Sequence, residues 1–237
     1  MTEPARILVI APHPDDEVLG VGGTIRRLVD EGCRVTVAIA TVGWAPLYPD
    51  DQVARVRAEA GEANRLLGVH ELRFLDLPVT KLDRLPRHEI NAVFDRLVTD
   101  VQPRWVFLPF AGDRHEDHRQ VFEAAQVALR PVAARDPLTR IWCYETVSET
   151  HWAVPTVEPT FQPQAFMDVS AQLAVKLQAM RVYASQLRTP PDARAPEAVA
   201  ALARWRGSVA GMNAAEAFVV VRERWIANRL GEPTPTL

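Results

Sequence analysis

Short apolar runs alternate with amphipathic stretches as far as Thr146. Arg6–Ala11 is a continuous apolar run, the pattern of a strand buried on both faces. Asp16–Glu31 follows with helical spacing, acids in its first turn and Gly32 just past its end. The alternation repeats. Arg34–Val42 predicts a strand, Asp51–Leu67 a helix stopped by Gly68, and Glu71–Leu75 a short strand. Pro86–Val101 carries helical spacing, Trp105–Pro109 predicts a fourth strand, His115–Arg130 a helix ending before Pro131, and Ile141–Thr146 a fifth strand.

Strand–helix alternation implies parallel strands joined by right-handed crossovers. The expected fold class is α/β, a Rossmann-like, mostly parallel sheet flanked by helices. Beyond Thr146 the pattern changes. Trp152–Pro163 contains Pro155, Pro159 and Pro163 and reads as an extended loop. Phe166–Val169 and Phe218–Val221 read as strands, Leu173–Leu187 and Pro196–Met212 as helices. Residues 1–237 are read as a single domain, with 150–215 as a substrate-side subregion.

Composition narrows the class. The 237 residues are 48% hydrophobic and 24% charged, which argues against a disordered chain. The net charge of −3 gives no basic footprint for nucleic acid. No apolar stretch reaches about 18 residues, so no membrane span is expected, and Ile7–Ile10 is too short for a signal-peptide core. Cys33 and Cys143 form no CxxC pair and no disulfide framework. A cytoplasmic protein is expected, compatible with a homo-oligomer.

The candidate chemistry lies in two acidic clusters. Ala11-Pro12-His13-Pro14-Asp15-Asp16-Glu17 directly follows the first strand, and Gly112-Asp113-Arg114-His115-Glu116-Asp117-His118 follows the fourth. In an open parallel sheet both fall at strand carboxyl ends, where ligands bind. A catalytic zinc site takes three N/O ligands and leaves one position open. His13 and Asp16, three apart around a strand-to-helix turn, and His118 from the neighbouring loop meet that need. Asp15 is placed to take a proton from water activated by the ion. His115 can donate a hydrogen bond to an oxyanion or a proton to a leaving amine. Asp117 can fix the tautomer of a ligand histidine. Helix capping is the competing reading of these acids, Asp113 included. Gly20, Gly22 and Gly23 do not form a dinucleotide fingerprint, because they lie inside the predicted helix and acids occupy the turn. They read as small residues that let the helix approach the sheet.

The A-x-H-P-D-D-E run, the glycines after it and the later H-x-D-H together resemble the LmbE-like, or PIG-L-type, N-deacetylases. The resemblance extends to Arg57 and Glu59 before Leu67-Gly68-Val69, to Phe166-x-Asp168-Val169-Ser170, and to Arg206-Gly207 before Ala215-Glu216-Ala217-Phe218. It implies zinc-dependent removal of an acetyl group from an N-acetylglucosamine-type unit, with zinc, or another divalent cation such as Fe2+, held by His13, Asp16 and His118. It implies Asp15 as general base, His115 as the residue that steadies the intermediate or protonates the amine, and Arg57 on the substrate side. Two departures leave the substrate open. Leu77-Pro78-Val79-Thr80 lacks the acid of an L-P-D-G-like turn, and Pro191-Asp192-Ala193-Arg194-Ala195 keeps only the arginine of P-H-P-R-S. Trp44 and Trp152 lie in loops where a ring either stacks on a sugar or packs at the rim. The alternatives are an amidase acting on another amide, such as a thiol conjugate, and a sugar-binding protein without turnover.

Overall fold

The computed structural model describes residues 3–131 and 138–225. A seven-stranded sheet runs through the molecule, built from β1 (Arg6–Ala11), β2 (Arg34–Val42), β3 (Glu71–Pro78), β4 (Trp105–Pro109), β5 (Arg140–Tyr144), β6 (Ala165–Asp168) and β7 (Ala215–Glu223). The spatial order is β3-β2-β1-β4-β5-β7-β6. The first five strands are parallel, whereas β7 runs antiparallel to both β5 and β6. The fold is therefore the expected Rossmann-like, mostly parallel α/β sheet.

Among the described residues six α-helices accompany it: α1 (Asp16–Asp30), α2 (Asp50–Leu67), α3 (Arg87–Val101), α4 (Glu116–Ala128), α5 (Leu173–Val182) and α6 (Pro196–Ala210). Strand alternation divides the core between the two faces. Ile7, Val9 and Ala11 of β1 pack with α1, α2 and α5 through Ile25, Leu67 and Met180. Leu8 and Ile10 pack with α3 and α4 through Phe94 and Val121. The continuous apolar run of β1 is thus explained by burial on both sides.

Strand order reverses at β1, whose neighbours β2 and β4 follow it in opposite directions across the sheet. The crevice at such a switch point is where an open α/β sheet binds its ligand. Both acidic clusters occupy it, one after β1 and one after β4.

Helix α1 must lie close to the sheet to bring its first turn there. A Cβ on Gly20 would fall 2.2 Å from the Tyr144 ring, and one on Gly23 would fall 2.8 Å from Val169. The helix is non-helical at Val21. The amides of Gly23 and Thr24 donate instead to the buried Glu216 carboxylate, at 2.9 and 2.7 Å. Glu216 also pairs with Lys176 of α5 at 2.5 Å. A side chain inserted into the helical ladder accounts for the kink.

Three elements differ from the sequence expectation by three or more residues at one end. β3 continues past Leu75 to Pro78 beside β2. α5 stops at Val182, five residues before Leu187, because Ser185 turns back to bond Glu59 of α2 while Leu187 still packs on the core. β7 is longer at both ends than Phe218–Val221, since partners on both sides supply pairing where Glu216 and Arg222 interrupt the apolar pattern.

Candidate active site

The turn after β1 determines what the site can present. Asp15 is the residue before α1 and has φ 103°, a left-handed conformation costly for a residue with a Cβ, by roughly 1–3 kcal/mol. Its amide donates to Glu17 Oε2 at 3.1 Å. Glu17 is itself fully buried and accepts from Asn64 Nδ2 at 2.9 Å and from the Tyr183 hydroxyl at 2.5 Å. Burial raises the Glu17 carboxyl to about 7 despite these donors. The Asp15 side chain makes no capping hydrogen bond, so capping does not explain it.

Three side-chain atoms then meet at one point. His13 Nδ1 lies 3.3 Å from Asp16 Oδ2, His118 Nε2 lies 3.1 Å from the same oxygen, and the two ring nitrogens are 3.3 Å apart. Bonds of about 2.0–2.1 Å at tetrahedral angles place ligand atoms roughly 3.3–3.4 Å apart, so this donor set fits a small divalent cation. Each histidine is also held by a carboxylate behind it. Asp117 Oδ2 lies 3.0 Å from His13 Nε2, and Asp113 Oδ2 lies 2.8 Å from His118 Nδ1. Thr150 Oγ donates to the other Asp113 oxygen at 2.6 Å. Carboxylates in these positions orient ligand histidines and raise their basicity.

The electrostatics agree. Burial disfavours a charged His118 ring, yet Asp16 and Asp113 outweigh it and raise the ring to about 10. Burial opposes charge on His13 too, and Asp117 and Asp16 overcome it. Burial alone would raise Asp16, but the two histidines hold it well below the usual carboxylate range. The site draws positive charge to one point. A second grouping, His13, His115 and Asp117, shares one histidine with the first. It is less suited to an ion, because His115 Nδ1 already accepts the Asp117 amide and Asp117 Oδ2 the Thr80 amide.

Asp15 stands beside this tripod and is 2% exposed. Among the described residues its Oδ2 is a buried acceptor with no hydrogen-bond donor. The Arg194 guanidinium lies 3.4 Å from that oxygen. Burial, and then the Asp16 charge, push the Asp15 carboxyl up to about 8. His115 is the residue before α4, and its Nδ1 accepts the Asp117 amide at 3.1 Å. That bond leaves the proton of the neutral ring on Nε2. Burial, then the neighbouring histidines, lower His115 to about 4.

A cleft of about 840 Å3, including its open mouth, connects His13, Asp15 and His115 with Arg57 and Arg194. Arg57 pairs with Asp76 and lies over the Phe74 ring. The structure does not bring Trp44 or Trp152 to the cleft lining. The Trp44 indole donates to the Val79 carbonyl at 2.9 Å and its ring is covered by Lys81. Trp152 ends a short 3-10 turn and is 62% exposed. Sequence reasoning missed three contributors. Asp113 had only the capping reading, Glu17 finds its partners on distant elements, and Arg194 reaches the cleft through the loop before α6. Only the retained arginine of the Pro191–Ala195 segment carried a sequence signal.

Residues 8–129 match the family model PIG-L, GlcNAc-PI de-N-acetylase. The chain is 29% identical to the uncharacterised deacetylase YaiS of Escherichia coli (strain K12), over 76% of this chain and 90% of that protein. It is 30% identical to the diacetylchitobiose deacetylase of Thermococcus kodakarensis, over 76% of this chain and 70% of that one. The solved N,N'-diacetylchitobiose deacetylase of Pyrococcus horikoshii superposes with a TM-score of 0.69 at 26% identity, covering 91% of this chain and 83% of that one. Among the described residues no helix is long and apolar enough to cross a membrane. The matched segment spans both acidic clusters and the switch point between them, these three relatives are named as deacetylases, and the chain belongs to the PIG-L (LmbE-like) family.

Proposed function

We propose that this protein is a zinc-dependent hydrolase that removes the acetyl group from an N-acetylated amino sugar. The observation that carries the reading is the buried Asp15 oxygen without a donor, placed beside the His13–Asp16–His118 tripod in one cleft. That oxygen has the Arg194 ion pair at 3.4 Å but no hydrogen bond, so it is left able to take a proton, for which a pure binding site has no use. The names of the diacetylchitobiose deacetylases support an amino-sugar substrate.

His13, Asp16 and His118 would hold the ion, zinc or Fe2+, through the three atoms that converge. The ion supplies, when bound, Lewis-acid polarisation of the amide carbonyl and of the attacking water. Asp15 takes the proton of that water on its free oxygen and hands it to the nitrogen as the C–N bond breaks, giving acetate and the free amine. A carboxyl raised toward neutrality suits both transfers. Arg194 keeps a positive charge beside Asp15 while the proton is away. His115, held neutral, offers Nε2–H to the developing oxyanion rather than a proton to the amine. Asp117 serves both histidines, accepting from His13 and fixing His115 through its amide. Arg57 borders the substrate end of the cleft.

The test is release of acetate and free amine from methyl N-acetylglucosaminide by zinc-loaded protein. Equimolar release supports the reading. A folded, metal-loaded protein that releases neither across N-acetylated amino sugars contradicts it.

A further inference from the structure

The cleft extends well beyond the reacting groups, and its far wall is apolar. From His13, Asp15 and His115 it passes between the end of β2, the first turns of α2, and β3. Val42, Tyr48, Val53, Val56, Phe74 and Val79 form the wall.

Helix α2 explains why this surface is open. In its second half the apolar positions Ala60, Ala63 and Leu67 are fully buried against the core. One and two turns earlier the same face continues as Val56 and Val53, which stay half-buried over the cleft. An apolar stripe that runs past the core and over a catalytic cleft is positioned to meet what the cleft holds. Phe74 adds a ring over which the Arg57 guanidinium lies, 4.4 Å from the centroid. Asp76 already pairs with that guanidinium, so this corner offers a ring and a neutralised charge. Asp15 is the one carboxylate among the described lining residues. Thr41, Tyr48, Gln52 and Gln186 also line the cleft, so a second sugar ring meets scattered amide and hydroxyl acceptors but no further carboxylate, while Val53, Val56 and Phe74 offer it none.

We propose that the substrate carries an apolar alkyl or aryl aglycone on its N-acetylated amino-sugar unit, and that the wall formed by Val53, Val56 and Phe74 binds it. The proposal rests on the deacetylase reading for the scissile amide and adds which glycosides are taken. Each methylene buried is worth roughly fourfold in binding. Lengthening a methyl to a butyl aglycone adds three, so kcat/KM should rise by at least tenfold and at most about 60-fold.

The experiment compares kcat/KM for methyl, butyl and phenyl N-acetylglucosaminides, methyl N-butanoylglucosaminide and N,N'-diacetylchitobiose, in parent, Val56→Asn and Phe74→Ala proteins. A butyl-to-methyl ratio above ten, falling toward one in both variants, supports the proposal. A parent ratio within twofold, a preference for diacetylchitobiose, or a gain from the longer acyl chain instead of the longer aglycone overturns it. If no glycoside releases amine, the deacetylase reading fails, and calorimetric titration of Asp15→Asn protein with the butyl and methyl glycosides decides the wall separately. Equal affinities there overturn the proposal, and a tenfold difference removed by adding Val56→Asn supports it.

Discussion

Replacing Asp113 with Asn separates the identity of a metal ligand from its aim. The Asp113 carboxylate is fully buried and both its oxygens accept hydrogen bonds, from His118 Nδ1 at 2.8 Å and from Thr150 Oγ at 2.6 Å. An amide of the same shape has one acceptor oxygen. If its NH2 group faces His118, Nδ1 must become an acceptor and the ring proton moves to Nε2, the atom 3.1 Å from Asp16 Oδ2 that the tripod needs as a lone pair. If the NH2 group faces Thr150, the hydroxyl loses its acceptor and the His118 ring loses a full negative charge behind it. Either orientation weakens the ligand without removing it. Loss of such an outer carboxylate typically costs 10–100-fold in metal affinity, or about 1.4–2.7 kcal/mol. Competition titration of metal-free protein with a chromophoric zinc chelator at neutral pH reads this directly. Thr150→Val, which keeps the Asp113–His118 bond, should shift affinity less than Asp113→Asn does. Zinc affinity within twofold of the parent in Asp113→Asn would refute the argument that this carboxylate tunes the site.

The other predictions bear on different links. His115→Phe should lower kcat by about 10²–10³-fold, the loss expected for one oxyanion donor, while zinc content by atomic absorption stays at the parent level; unchanged kcat would remove His115 from the reaction. Gly20→Ala should cost roughly 1–3 kcal/mol of stability, because its Cβ would fall 2.2 Å from the Tyr144 ring, which is itself fixed by a hydrogen bond to the Ile10 carbonyl. A thermal midpoint equal to the parent's in circular dichroism would show that the helix yields without penalty. Arg206→Met should cost about 3 kcal/mol at neutral pH by leaving the buried Glu145 carboxylate with only the bond from the part-exposed His151. Burial pushes Glu145 up, but the bond from His151 and the pair with Arg206 hold its carboxyl below the usual value. The stability from that depression is present above the unfolded carboxyl's pKa and disappears as pH falls through the folded one. The gap between parent and Arg206→Met in urea unfolding should therefore narrow on acidification, and a gap that widens would contradict the sign.

Much of the fold was legible because its central strands are buried on both faces. A continuous apolar run such as Ile7–Ala11 has one structural meaning once a helical pattern with caps follows it. Position at the switch point made the two acidic clusters readable as one site, because sheet topology brings loops after β1 and β4 together whatever lies between them. What stayed hidden depends on side chains whose partners are remote in sequence. Glu17 holds Asp15 through Asn64 and Tyr183, and Glu216 kinks α1 from β7. Neither leaves a periodic trace. Asp113 and Asp117 both begin the fourth helix region and look alike as sequence, yet one supports His118 and the other His13. Trp44 and Trp152 looked suited to sugar stacking from their loop positions alone, and only the Trp44 bond to Val79 and the outward placement of Trp152 show where those rings go.

In the proposed reaction Asp15 is a base and not a ligand. The most direct test measures zinc content and amine release together in parent and Asp15→Asn proteins on an N-acetylated amino sugar. The tripod of His13, Asp16 and His118 is intact in that variant, so the account predicts parent-level zinc with kcat reduced by about 10²–10⁴-fold. Parent-level release from Asp15→Asn would contradict the account, and so would loss of its zinc.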